Sequence, residues 1–229
     1  MTLQSVVQSA ALRIVGTKPV AVYSSTDQIA VEMADLVNEV AQDIALSHDW
    51  RDLTKIAEMV GDGVLTAFPK PANYDRTLIA ADVQDKADWL WGYYAFGSVS
   101  EYLQTKNSDF QRITPGGWIL LGGQFEFFPA PNGTATFPYI SKMIVLDENG
   151  VPKPAFTADT DTFILSERVL TLGLIWRYLS QKRLDYSEEL ATYGIALSQA
   201  QTRDKGAQVV RQGCNRNLGA NLAWPWPLG

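Results

Sequence analysis

One histidine and one cysteine are all that a chain of 229 residues offers for imidazole or thiolate chemistry. A Ser–His–Asp or Cys–His arrangement needs a histidine base. His48 stands at the end of an expected helix, beside Asp49 and Trp50. Its structural use there is to meet the negative end of the helix dipole. Zinc takes three or four N, S or O ligands, so His48 and the distant Cys214 leave room only for a carboxylate site. A single cysteine also excludes an intramolecular disulfide.

Concentrated positive charge is missing as well. The net charge is −6, distributed as −4 over residues 1–50, −3 over 51–155 and +1 over 156–229. Gripping a phosphate backbone requires a basic patch. A protein that holds DNA is therefore disfavoured, whereas an acidic wall that lets DNA pass is not. The densest apolar run, Val169 to Trp176, falls far short of the roughly 20 residues that cross a bilayer. The first residues, Met1-Thr-Leu-Gln-Ser-Val-Val, lack the basic and apolar regions of a secretion signal. The expectation is a chain made and used in a reducing cytoplasm, with no membrane partner. Asn132-Gly133-Thr134 then reads as a turn.

Other candidate sites are weak. Asp82, Asp85 and Asp88 would line up only on a helix, and their region reads as a strand entering a loop. A solvated loop is favoured there over a Mg²⁺ or Ca²⁺ site. Gly61-Asp-Gly63 and the two Gly-Gly pairs lack the strand–glycine–helix context and the lysine of a phosphate loop. Carboxylate pairs for glycoside chemistry cannot be chosen among 25 acids without geometry. No catalytic residue, cofactor or metal site is expected.

What is present is patterned. The composition, 46 % hydrophobic and 19 % charged, is that of a globular chain. Thr2 to Val15 reads as a short amphipathic helix ended by Gly16 and Pro19. Ser25-Thr-Asp-Gln28 has the form of a capping box. Ile29, Met33, Leu36, Val37, Val40 and Ile44 then share one face of a helix over 26–47, with Glu32, Asp35, Glu39 and Asp43 turned outward.

From Leu53 to Leu146 the chain is broken every 8–12 residues by Gly, Pro, Asn or Asp. The β-friendly runs between are Val64–Phe68, Arg76–Val83, Trp91–Phe96, Trp118–Leu121, Phe125–Phe128, Ala135–Ile140 and Lys142–Leu146. Gly116-Gly117 and Gly122-Gly123 suit positive-φ turns around a small meander.

Helical signals resume after Pro154. Asp159 or Asp161 is placed to cap a helix reaching Arg183, apolar over most of its circumference and so suited to the inside of a bundle. Asp185-Tyr-Ser-Glu188 precedes a last helix that ends near Gly206. From Ala207 the chain carries Arg211 and Arg216, no acid, and the ending Trp224-Pro-Trp-Pro-Leu-Gly229. Its prolines impose an extended backbone. Trp224 and Trp226 are costly to leave in water. They point to an intermolecular contact, with folding back onto their own subunit as the alternative.

The fold class is therefore α+β: a helical bundle (1–50 plus 156–206) interrupted by an antiparallel β-rich insertion (51–155), with an extended C-terminal arm (207–229).

The segments Asp49-Trp50-Arg51-Asp52-Leu53, Thr66-Ala-Phe-Pro69 and Asn73-Tyr-Asp-Arg76 recur in a known order. They are followed by Trp118 through Pro131, by Phe137-Pro-Tyr-Ile-Ser-Lys142, and by the helix from Asp161. The layout resembles the head-to-tail adaptor (connector) proteins of tailed bacteriophages, the tail-tubular-A-like neck adaptors among them. The resemblance covers most of residues 25–200. It implies a non-enzymatic virion protein at the neck, in a ring of usually twelve copies docked beneath the portal. DNA would pass through that channel without sequence-specific binding. The β-insert would face the tail or nozzle proteins, and the terminal arm would reach the portal. It assigns Arg211, Arg216, Trp224 and Trp226 to the arm, and Trp91, Tyr93 and Tyr94 to contacts of the insert. The readings left open are another minor virion or tail-completion protein, or a small ligand-binding or hydrolytic domain.

Overall fold

The computed structural model describes residues 2–78, 83–85, 92–107 and 116–205. Helices α1 (Leu3–Val15) and α2 (Gln28–Leu46) open the chain, and a single 3-10 turn (Arg51–Leu53) follows. Next come strands β1 (Thr54–Val60), β2 (Ala67–Pro69), β3 (Tyr74–Thr77), β4 (Gln84–Asp85) and β5 (Tyr94–Ala95), then helix α3 (Val99–Lys106). Strands β6 (Gly117–Leu121), β7 (Gln124–Phe128), β8 (Thr134–Ser141), β9 (Val145–Leu146), β10 (Pro152–Lys153) and β11 (Thr162–Phe163) lead into helices α4 (Glu167–Gln181) and α5 (Ser187–Lys205). The class is α+β, as the sequence implies.

The chain divides into two compact units. Among the described residues the first holds 2–55, 73–78 and 139–205, and the second holds 56–72, 83–85, 92–107 and 116–138.

In the first unit α4 packs against α1, α2 and α5. The expected apolar face of α2 is the buried one: Met33, Leu36, Val37, Val40 and Ile44 are all within the core. Val6, Val7 and Ala10 of α1 meet Val169, Leu170 and Leu174 of α4 in the same cluster. Burying each large side chain is worth about 1.5–3 kcal/mol, so this one cluster supplies most of the unit's stability. Gly173 lets α2 and α5 approach α4 closely. A Cβ there would lie 2.5 Å from Val40 Cγ1 and 3.2 Å from the Tyr193 ring. A small sheet, β10-β9-β11, is antiparallel throughout.

Two start signals differ from expectation. Asp27, not Ser25, caps α2: its carboxylate accepts the Ile29 N–H, while Ser25 Oγ accepts the Asp27 N–H and closes a local turn. The helix begins too late for Ser25 to reach it. Neither Asp159 nor Asp161 caps α4, which starts at Glu167 behind Ser166. Asp161 is 1 % exposed, and its carboxylate is taken by Lys153 Nζ at 2.8 Å and by the N–H groups of Thr157 and Ala158. It closes the loop behind it, and residues 162–163 pair with β9.

In the second unit the sheet order is β2-β7-β6-β5. Gly122 (φ 55°) and Gly123 (φ 84°) form a two-residue hairpin between β6 and β7, the backbone such tight turns require. Gly116 and Gly117 are not turn residues. Cβ atoms there would stand 2.6 Å from the Tyr93 ring and 2.5 Å from the Phe96 ring. These glycines let two aromatic rings lie on the backbone. The insertion is not wholly antiparallel, because β5 pairs β6 in parallel. It also contains α3, started by Ser98 Oγ, which accepts the Glu101 N–H at 3.1 Å.

Two tests follow from this packing. Gly173→Ala should lower stability by about 1–3 kcal/mol through overpacking. Gly194→Ala, with nothing within 4 Å of its added carbon, should raise it by up to about 1 kcal/mol. Denaturant unfolding of both variants checks the opposed signs.

The second test concerns Asp161. Burial pushes its carboxyl up, but Lys153 and the N–H donors of Thr157 and Ala158 outweigh that and hold it below the usual carboxylate range. A carboxyl with a lowered folded value stabilises the fold above its unfolded value. The contribution is lost as pH falls through the folded one. Asp161→Asn should cost about 1–3 kcal/mol at pH 7. The gap to the wild type should close below about pH 4, as read by unfolding curves across pH.

Candidate interaction surfaces

The C-terminal end of α2 leaves carbonyl groups without helical partners, and side chains from the following turn and from β3 supply them. Trp50 Nε1 donates to Ile44 O at 2.8 Å. Arg76 Nη2 donates to His48 O at 2.9 Å and to Ala45 O at 3.3 Å. A guanidinium at this end also meets the negative end of the helix dipole. Asp49 (3.2 Å) and Asp75 (2.8 Å) hold the same guanidinium from its other sides. A bulge in β3 between Tyr74 and Arg76 locally re-aims the strand's side chains.

The junction extends in two directions. Asn73 O accepts the Lys142 N–H at 2.9 Å, and Tyr139 OH donates to Asn73 Oδ1 at 2.8 Å. On the α5 side, Asp204 accepts the Arg51 N–H at 3.1 Å and lies 3.4 Å from His48 Nε2. Three segments that carry the resemblance, Asp49–Leu53, Asn73–Arg76 and Tyr139–Lys142, thus meet at one place in the first unit. His48 acts there as a structural residue, edge-on to the Trp50 ring with centroids 5.1 Å apart.

Among the described residues no group of three His, Cys, Asp or Glu side chains could hold a common metal ion. Of the acidic trio, Asp82 and Asp88 lie outside the described residues, as do Cys214 and Gly206. No described helix is long and apolar enough to cross a membrane.

The expected interface residues separate. Arg211, Arg216, Trp224, Trp226 and Trp91 lie outside the described residues. Tyr93 is fully buried, edge-on to Phe127 at 5.3 Å. It is a core residue of the second unit, so its ring is not presented at the surface of that unit. Tyr94 is half-buried and packs edge-on against Phe96 at 4.9 Å.

Two surfaces of the first unit were not singled out from the sequence. The outward stripe of α2 is acidic, with Asp35, Glu39 and Asp43 exposed. Glu39 pairs with Arg177 and Glu32 with Lys182 along it. The Lys182 ammonium and the Gln28 amide hold the Glu32 carboxyl below its ordinary value.

The second surface is a groove over α4, between α1 and α5. Ser5, Ser9 and Arg13 line one wall, Thr171 and Leu172 the floor, and Thr192 the other wall, around a volume of about 750 Å³. A second recess of about 480 Å³ continues it past Leu179 and Leu184. Beside the groove α5 presents a separate uncharged stretch: Leu190 to Thr202 contains no charged residue. Yet Ala191, Gly194, Ile195, Ser198 and Thr202 of that run are exposed. An outward helix face is ordinarily charged.

A protein-family model described as "SU10 adaptor protein" matches residues 1–213. No curated protein matches the chain significantly.

Removing the guanidinium of Arg76 strands two carbonyls and two carboxylates. Arg76→Ala should cost about 2 kcal/mol. Arg76→Lys should recover only part of it, since one ammonium cannot replace a planar fork of five donors. Thermal and denaturant unfolding of the two variants measures the difference.

Proposed function

The chain belongs to the SU10 adaptor protein family, and from that premise we propose that it is a structural protein of a tailed-bacteriophage virion, a head-to-tail adaptor of the tail-tubular-A-like kind. Copies form a ring, of twelve subunits in this reading, beneath the portal at the neck. The ring prolongs the DNA channel and offers a platform to the tail or nozzle proteins. The division into a helical bundle (1–50 and 156–206), a β-rich insertion (51–155) and a C-terminal arm (207–229) is part of the same proposal. The bundle builds the ring, the insertion turns to the tail, and Arg211, Arg216, Trp224 and Trp226 reach the portal. No catalytic step is assigned.

The observation that carries the reading is the family match over residues 1–213. The acidic stripe of α2 agrees with it. With Glu32 and Glu39 paired to Lys182 and Arg177, Asp35 and Asp43 leave this wall net negative, and it repels a phosphate backbone, which suits a conduit that DNA must traverse without being held.

Electron microscopy of the protein mixed with its portal tests the proposal. The expected image is an axial ring on the portal. A chain that stays monomeric in that mixture contradicts it. Deleting residues 215–229 refines the test. Removal of an arm should leave the melting temperature nearly unchanged while docking on the portal fails. A loss of several kcal/mol would place the two tryptophans on their own subunit instead.

A further inference from the structure

The loop between α1 and α2 ends in an apolar tip that is held rigidly. Val20 is 89 % exposed, more than any other large hydrophobic side chain among the described residues. Its neighbours are fixed from several directions. The Gln4 and Gln8 side-chain amides donate to Val20 O and Pro19 O. The Asp159 carboxylate accepts the Val22 and Tyr23 N–H groups at 2.9 Å each. Tyr23 OH donates to Phe156 O at 2.7 Å. Pro19 and Val22 are buried beneath. A tip ordered before binding loses little freedom on docking. Beside Val20 stands the exposed cation Lys18.

The first unit also carries a recess of matching character. Leu172, Leu179 and Leu184 give it apolar walls, and Asp185, Glu188 and Glu189 stand at its rim. The one cation that lines it, Arg13, leaves an excess of negative charge. Tip and recess lie on different sides of α1. Gln4 and Gln8 hold the loop, whereas Ser5, Ser9 and Arg13 face the groove, about 100° further round the helix.

Resting on the ring reading above, we propose that Lys18 and Val20 of one copy dock in the Leu172–Leu179–Leu184 recess of the next copy, with Lys18 against Asp185, Glu188 and Glu189. Because the two patches are different surfaces, the contact is head-to-tail. It repeats from copy to copy, and such contacts generate a ring when the rotation closes. The apolar tip supplies the affinity, and the charge pairing fixes which copy faces which. The occupant is a second copy of this chain because the acidic rim matches the cation the chain itself presents beside its own apolar tip.

The test is assembly of the full chain, alone and with its portal, followed by light scattering and native mass spectrometry over a concentration series. Val20→Asp and Lys18→Glu should each raise the concentration at half-assembly by about tenfold or more, the scale of losing one well-placed interface anchor. Val151→Asp, at a site 55 % exposed and outside both patches, should leave it unchanged. Adding Glu188→Lys and Glu189→Lys to Lys18→Glu should restore assembly, because each copy then carries both reversed charges. Circular dichroism confirms that every variant is folded. If the wild type forms rings and the tip variants form them equally well, this contact is wrong and the ring reading stands. The contact is equally wrong if Val151→Asp is as harmful as Val20→Asp, or if the reversed pair fails to rescue. A wild type that remains monomeric even with the portal overturns both.

Discussion

Everything in the first unit is arranged around α4. It packs against α1, α2 and α5, and Gly173 sets how near α2 and α5 can come, since any side chain there meets Val40 and Tyr193. Three neighbours cover three sides of a helix and leave one. On that fourth side Thr171 and Leu172 form the floor of the groove between α1 and α5. The open face is therefore a consequence of the packing, and so is the outward turn of α2's acidic residues, which point away from the buried stripe of Met33, Val37, Val40 and Ile44.

The second organising feature is the end of α2. Helix ends need partners for their carbonyls, and here they come both from just beyond the helix and from far along the chain. Trp50 turns back onto Ile44 O, and Arg76 reaches the carbonyls of Ala45 and His48. Asp204, near the end of α5, binds the Arg51 N–H. One helix terminus thus ties three stretches of sequence together. Residues of the family-like pattern that look like unrelated polar positions in one dimension serve a single purpose in three. A junction of this kind constrains the fold, in a chain whose family model is described as an adaptor.

Much of this was legible in the sequence where a strong period met a clean boundary. The apolar spacing from Ile29 to Ile44 gives α2 almost to the residue, and Gly122-Gly123 gives the hairpin. The misses have physical causes. Asp161 has the chemistry of a helix cap, but burial beside Lys153 commits its carboxylate to the loop behind it. Gly116 and Gly117 look like turn residues because sequence does not show the rings of Tyr93 and Phe96 lying on them. α3 is only eight residues long, and its signal, Ser98 three positions before Glu101, is easily lost among strands. Tyr93 has the composition of an interface aromatic, yet it is core. Surfaces made by several elements, such as the groove and the pinned Val20 tip, appear only once the helices are packed.

These features support one account, the proposed adaptor whose helical unit meets copies of itself through the Val20 tip and the acid-rimmed recess and keeps the acidic face of α2 free. The most direct test is hydrogen–deuterium exchange on the full chain before and after assembly on its portal. The account predicts new protection at residues 17–24 and 184–192, with the exposed stripe of α2 unchanged. New protection centred on α2, with none at either of those segments, would contradict it.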